Sequence, residues 1–236
     1  MLFRSLLDST SNAILYLGSS TFIGSKSGVS GLTSSSANIT IQYDNYSFVA
    51  IPQIGTSGSV TIKSYSTSFA GSPQTAWFAL NSNDQTMSSF TFGKLTNTST
   101  LSINSALTSS GSITIYGGVV NVTGSLTSSG TGDILIKSNN AVTNSIYFSS
   151  GADILKTGGD RSTLTLQSNG QINFASGSII DASSTILDVV LWANYGASAT
   201  VGGLALTPDI TTNGGHIWMG GSSTSGDSST WNGLTV

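Results

Sequence analysis

The sequence has no cysteine, no glutamate, one histidine, three prolines and only seven lysines and arginines. Each scarcity excludes something. Without cysteine there are no disulfides, no zinc–thiolate sites and no cysteine nucleophile. Without glutamate, and with few Lys or Arg, the chain lacks strong helix formers. Ser, Thr, Gly and Asn stand in their place. Ser and Asn compete with helical hydrogen bonds and Gly loses too much backbone entropy there, so helix is disfavoured almost throughout. Charged residues are 7% of the chain, against about 25% in ordinary soluble domains. The ten acids are all aspartate and the net charge is −3. No basic stripe is present, which points away from nucleic acid as a partner. No apolar run approaches the roughly 18 residues of a helical membrane span, so membrane insertion is not expected. The opening "MLFRSLLDSTSNAILYLGSS", with one Arg and a stretch broken by Asp8, Ser9 and Ser11, makes a poor signal peptide. An exported chain of this kind would have lost its signal or be a piece of something longer.

Low charge with abundant Ser and Gly also describes disorder. The hydrophobic content argues otherwise: 38% of residues, arranged in short alternating runs. Period-two alternation marks half-buried strands. Ile39 and Ile41 share one face of "NITIQY", Val60 and Ile62 one face of "SVTIKS", and Ile113 and Ile115 one face of "SITIYG". The same holds for Val120 and Val122, Ile134 and Ile136, Leu164 and Leu166, Ile172 and Phe174, and, in "GGHIWMGG", Ile217 and Met219. These residues are the expected inward core. Thr, Ser or Asn tends to occupy the alternate positions, and Gly, Ser and Asn clusters between runs mark turns.

The runs recur. Ile39 to Val60, Ile113 to Ile134 and Leu166 to Leu187 share one spacing, about 21 residues, close to the length of a single solenoid repeat, and other intervals stretch toward about 30. A loose period in the twenties, built of short strands without helices, predicts an all-β fold, a right-handed parallel β-helix or β-solenoid of roughly ten coils of about 20–30 residues. At about 4.8 Å per coil the rod would be on the order of 50 Å long. The rival is an antiparallel sandwich with strands every 8–12 residues or about that. Tight hairpins favour Asn-Gly and Asp-Gly, and such pairs are few here, so the solenoid is preferred. Residues 1–36 fit an N-terminal cap or first irregular coils. Residues 37–236 fit the solenoid, with a less regular, aromatic-rich section at about 66–100 carrying Trp77, Phe78, Phe90 and Phe92.

From about residue 110 onward the sequence resembles the passengers of filamentous-haemagglutinin-type bacterial surface proteins. "GSITIYGGVVNVTGSLTSSGTGDILIKSNN" (111–140) is similar to their repeat of a short strand, a G-x-V-x-V-x-G-x-L strand, a Ser/Gly turn and G-D-I-x-I. "ADILKTGGDRSTLTLQSNGQINFASGSIID" (152–181) resembles another such coil, and "LDVVLWANYG", "ITTNGGHIWMGG" and "TWNGLTV" resemble a recurring segment of giant members. The Asn-Pro-Asn-Gly secretion module of that group is missing. The resemblance implies a right-handed β-helix, secreted to the bacterial cell surface, that serves adhesion, aggregation or spacing as a shaft segment.

Candidate chemistry is sparse. His216 and Trp218 alternate with Ile217 and Met219, so they are expected to face outward as a candidate surface contact. A lone imidazole lacks the His and Cys partners a metal needs, and no nucleophile-elbow motif accompanies the many serines. No catalytic residue, metal or cofactor is therefore expected. Asp133 and Asp153 are separated by about one coil and would stack unfavourably unless a cation bridged them, but the Gly/Asp nonapeptide of calcium-loaded β-rolls is missing. Asp153, Lys156, Asp160 and Arg161 form the densest charge cluster, with Asp160-Arg161 read as a solvated turn. Flat threonine arrays, as on ice-binding solenoids, need one register in many coils, whereas the outward positions Thr40, Thr61, Thr114, Asn121, Leu135, Thr165 and Asn173 vary.

The ends complete the expectation. An open coil leaves an unpaired strand edge that templates association. The predicted role is non-enzymatic, a structural or adhesive shaft or fibre subunit. Its ends would meet other copies or a longer chain, and its sides would meet glycans or other cells. The alternative is a polysaccharide-binding or polysaccharide-degrading β-helix enzyme.

Overall fold

Alternation dictates strands, and the computed structural model assembles them into a parallel β-helix. It describes residues 13–16, 21–23, 32–33, 36, 38–48, 53–80, 86–196, 202–206, 208–221 and 231–235, the backbone alone for 13–16, 21–23, 32–33, 46–48, 53 and 231–235. One face is a nine-stranded sheet: Ala13–Tyr16, Ile39–Gln42, Ser59–Lys63, Ser89–Gly93, Ile113–Gly117, Ile134–Ser138, Ser162–Ser168, Leu187–Ala193 and Ile217–Gly221, stacked in chain order. The chain then turns a corner into a second face (Leu101–Ile103, Val120–Val122, Ile146–Phe148, Gln171–Phe174, Gly202–Ala205, Trp231–Thr235) and a third (Leu107–Ser109, Leu126–Ser128, Ile154–Lys156, Ile179–Asp181, Asp209–Thr211). Two shorter sheets, Thr21–Ile23 with Tyr46–Phe48 and Leu32–Thr33 with Gln53–Gly55 and Ala79–Leu80, take those places in the first coils, and isolated parallel bridges pair Gln74 with Ser102 and Met87 with Ser109. Every pairing among the described strands is parallel, which rules out the antiparallel sandwich. Eight steps of about 4.8 Å make the nine-stranded face about 38 Å tall.

The register along this face runs from Ala13 to Ile39, Val60, Phe90, Ile113, Ile134, Leu164, Val189 and Ile217. The steps are unequal. Ile39 does pair with Val60, and Ile113 with Ile134. Leu166, however, pairs with Leu191, and Leu187 with Ser162. The interval from Leu166 to Leu187 is thus no coil, because corner loops vary in length while strand register does not. The segment 13–16 already pairs with 39–42, so the nine-stranded sheet begins before residue 37.

Two inward files run the length of this face. Ile39, Val60, Phe90, Ile113, Ile134, Leu164 and Val189 form one, and Ile41, Ile62, Phe92, Ile115, Ile136, Leu166 and Leu191 the other, all buried. Full burial of such a side chain contributes about 1.5–3 kcal/mol. Ile217 and Met219 continue these files opposite Val189 and Leu191. Met219 packs on the core, but Ile217 is 47% exposed. Its expected burial fails because no coil lies beyond it on this face among the described residues. The aromatic-rich section lies within the same architecture. Tyr43, Phe69, Phe78, Phe90 and Phe92 cluster with ring centroids 5.1–6.4 Å apart where the chain makes one of its longer coils, from Val60 to Phe90. On the second face Phe148 and Phe174, in register, stack at 4.4 Å.

Side-chain oxygens clip the coils together. Near strand ends, Asn38, Asp44, Asp133, Asp153 and, as the second residue of its strand, Asp188 each accept the backbone N–H of a residue one coil on: Ser59, Ser66, Thr163, Ile179 and His216, at 2.7–3.1 Å. A short side chain held close to its own backbone makes this reach, which suits Asn and Asp. At one corner Asn139 donates to the carbonyls of Leu95 and Asn97, and Asn169 to that of Asn139. Gly130 and Gly159 allow close approach at another corner, where a Cβ would sit 1.9 and 2.2 Å from the backbone of the preceding coil.

Candidate functional site

The single histidine follows a tight turn. Asn213 and Gly214 both take positive φ, 51° and 90°, a pairing that Asn-Gly adopts readily. Gly215 donates to the Thr212 carbonyl, and the Thr212 hydroxyl donates to the Gly215 carbonyl. A Cβ at Gly215 would lie 1.9 Å from the Leu187 oxygen, so glycine lets the chain press onto the coil before. This first glycine pair is a corner of the coil. The second, Gly220 and Gly221, lies within the strand opposite Trp192 and Ala193.

The His216 backbone ties its coil to the one before, and the Asp188 carboxylate extends that tie to Arg161 of a third. Its N–H donates to Asp188 Oδ1 at 2.8 Å and its carbonyl accepts from Val189. Arg161 Nη2 and Nε donate to the two oxygens of the same carboxylate, both at 2.6 Å. The Arg161 hydrogen bond first, and the His216 N–H second, hold the Asp188 carboxyl down to about 2. Arg161 is pushed up by the same pairing. The His216 imidazole is exposed and makes no hydrogen bond to a described residue.

Beside this pair is an aromatic patch. Trp192 lies edge-to-face with Tyr195 at 4.8 Å and with Trp218 at 5.6 Å. Lys137 Nζ stands 4.8 Å over the Tyr195 ring. Lys137, Gln167, Trp192 and Gly220 follow one outward file. Trp218 is 48% exposed. Its six-membered ring lies over Gly220, where a Cβ would come within 2.6 Å of it, so the glycine permits the indole to lie down along its own strand.

The remaining candidates separate. Asp133 aligns with Thr163 and opens the first face, whereas Asp153 precedes the third face beside Ser125. They lie at different corners and do not stack; each clips a backbone N–H instead. No cluster of three or more metal-ligating side chains occurs among the described residues. Arg161 of the expected solvated turn is engaged with Asp188. Lys156 lies inside, 1% exposed, with its ammonium donating to Ser128 Oγ at 3.2 Å and to the Gly130 carbonyl. Burial pushes its pKa down, against the opposing pull of Asp133 and Asp160. The alternation Ile154-Leu155-Lys156 carries that signal, since residues 154 and 156 share the inward face.

The outward threonines are more regular than the sequence suggests. Asn121 and Asn173 belong to the second face. The first-face file reads Thr40, Thr61, Thr91, Thr114, Leu135, Thr165, Val190 and Trp218. Comparison with protein-family models, curated proteins and solved structures finds no match to this chain.

Proposed function

We propose that this chain is a non-enzymatic structural or adhesive segment, a β-solenoid shaft or fibre subunit of the secreted, bacterial cell-surface kind that filamentous-haemagglutinin-like passengers represent. One observation carries the reading. The nine-stranded parallel face is continuous, with its interior filled by apolar files and a file of threonines, broken by Leu135 and Val190, along much of its exterior. Such a body is stiff along its axis, because each coil hydrogen-bonds the next through the whole backbone. Among the described residues the outermost strands on this face, 13–16 and 217–221, run in the same direction, so one can pair with the other in a second copy as neighbouring coils do. That contact is head-to-tail and does not close, and it generates a filament. Ile217, inward in register yet 47% exposed, is the side chain such a coil would cover. In a longer protein the adjoining coil of the same chain would take this place. Light scattering on the isolated chain tests the reading: the average mass rises with concentration, and a mass fixed at one chain over a hundredfold range contradicts it.

A further inference from the structure

We infer that the outer face around Trp218 is a binding platform for neutral, pyranose-containing polysaccharide. The inference deepens the adhesive part of the proposed function and rests on it. Elsewhere the outward file that ends at Trp218 is mostly threonine, with Leu135 and Val190 among them. Here the Trp218 indole lies on the glycine backbone of its own strand, with Trp192 against it and nearly half of its surface in solvent. A ring supported beneath and open above offers the apolar face on which the C–H side of a sugar ring stacks, and its indole N–H has no partner among the described residues.

The polar rim supplies what sugar hydroxyls need. His216 is two residues back on the same side of the strand, about 7 Å away, with Asp188 in register beside it. Arg161 uses Nε and one N–H of Nη2 on Asp188, which leaves three of its five N–H donors open. Asp188 Oδ1 accepts two hydrogen bonds and Oδ2 one, so a lone pair remains on Oδ2. The His216 imidazole is free to donate or accept. Donors and acceptors thus stand together about 7 Å along the strand from Trp218, on the side away from the ring that lies over Gly220, where they can meet a neighbouring unit of a polymer stacked on the indole.

Charge selects the ligand class. Arg161 is matched by Asp188, Lys137 stands over Tyr195, and the whole chain carries −3. A polyanion would find here only Lys137 without a carboxylate partner among the described residues, its ammonium held against the Tyr195 ring, whereas a neutral sugar needs no cation.

Affinity electrophoresis of the full chain tests this, with hydroxyethylcellulose, laminarin or galactomannan in the gel, and alginate as the anionic control. At least one neutral polymer retards the chain, and Trp218→Ala weakens the interaction about tenfold, the scale of one lost stacking contact with its buried area. Gly220→Ala keeps the tryptophan but lifts its ring from the strand, and weakens binding comparably; it also serves if Trp218→Ala fails to fold. Retardation by no neutral polymer, retardation by alginate alone, or variants that bind like the native chain would overturn the inference. Filaments without retardation remove the platform and leave the shaft. Retardation by a chain that stays monomeric does the reverse.

Discussion

Lys156 is the residue at which the fold carries its clearest internal cost. Its ammonium is buried and its charged form disfavoured, with Ser128 and Gly130 as the partners. Replacing a buried, partnered charge by an apolar side chain of similar volume is often neutral or stabilising by about 1–4 kcal/mol. Lys156→Met is therefore expected to leave urea-unfolding stability unchanged or raise it by about 1 kcal/mol. Lys156→Ala, which leaves a cavity, is expected to lower it. Asp188 gives a pH signature. Its carboxyl sits at about 2 in the folded chain against an ordinary 3.8. The folded state therefore holds the ionised form more tightly than the unfolded state does, and the stabilisation is complete above about pH 4. It is lost as pH falls from about 4 to about 2. Thermal melts across that window should show a decline that Asp188→Asn flattens. Neither feature was apparent from sequence spacing. Arg161 meets Asp188 only through a full coil and the register it sets, and Lys156 was masked by its charge although its alternation marks it inward.

At the scale of the strand, alternation was legible, and periodicity in part: Ile39 to Val60 and Ile113 to Ile134 are coil steps, whereas Leu166 to Leu187 is not. Ile113 and Ile115 are inward and Thr114 outward, as their spacing requires. Ile115→Ala should cost about 2–5 kcal/mol, while Thr114→Ala, on the outer face, should change stability by about 0.5 kcal/mol or less. Chemical denaturation of the two variants separates the faces, and equal costs would contradict the assignment. A constant repeat length failed at Leu166 because length is set by corner loops, which tolerate insertion, whereas register is set by side chains that must stay on the buried side. The same variation scattered the outward threonines when they were counted along the sequence and aligned them once coils were stacked. Within the aromatic-rich section near residues 66–100, Phe90 and Phe92 occupy inward positions of the first face, and the longer coil before them accommodates Phe69 and Phe78.

At the scale of the molecule, the absences in the composition acquire a common reason. A solenoid buries one side of every strand and needs no helix, so it can do without glutamate and most lysine. Aspartate and asparagine are retained where a short side chain ties one coil to the next. Much of the outer surface is Ser, Thr and Asn, with exposed apolar side chains such as Tyr65, Leu95 and Val142 scattered singly and Trp192, Tyr195 and Trp218 in ring contact with one another. The Trp218 platform was legible only in part. His216 and Trp218 were expected to face outward together, but the contact with Trp192 depends on the register that sets Val190 opposite Trp218, and the ring's posture depends on Gly220. On the proposed reading, the outer edge of Ile217–Gly221 and the half-exposed inward position of Ile217 are where a further coil would add. Electron microscopy of the isolated chain over a rising concentration series tests that claim most directly. The account predicts thin, unbranched threads of uniform width that lengthen with concentration; discrete particles about 38 Å tall at every concentration would contradict it.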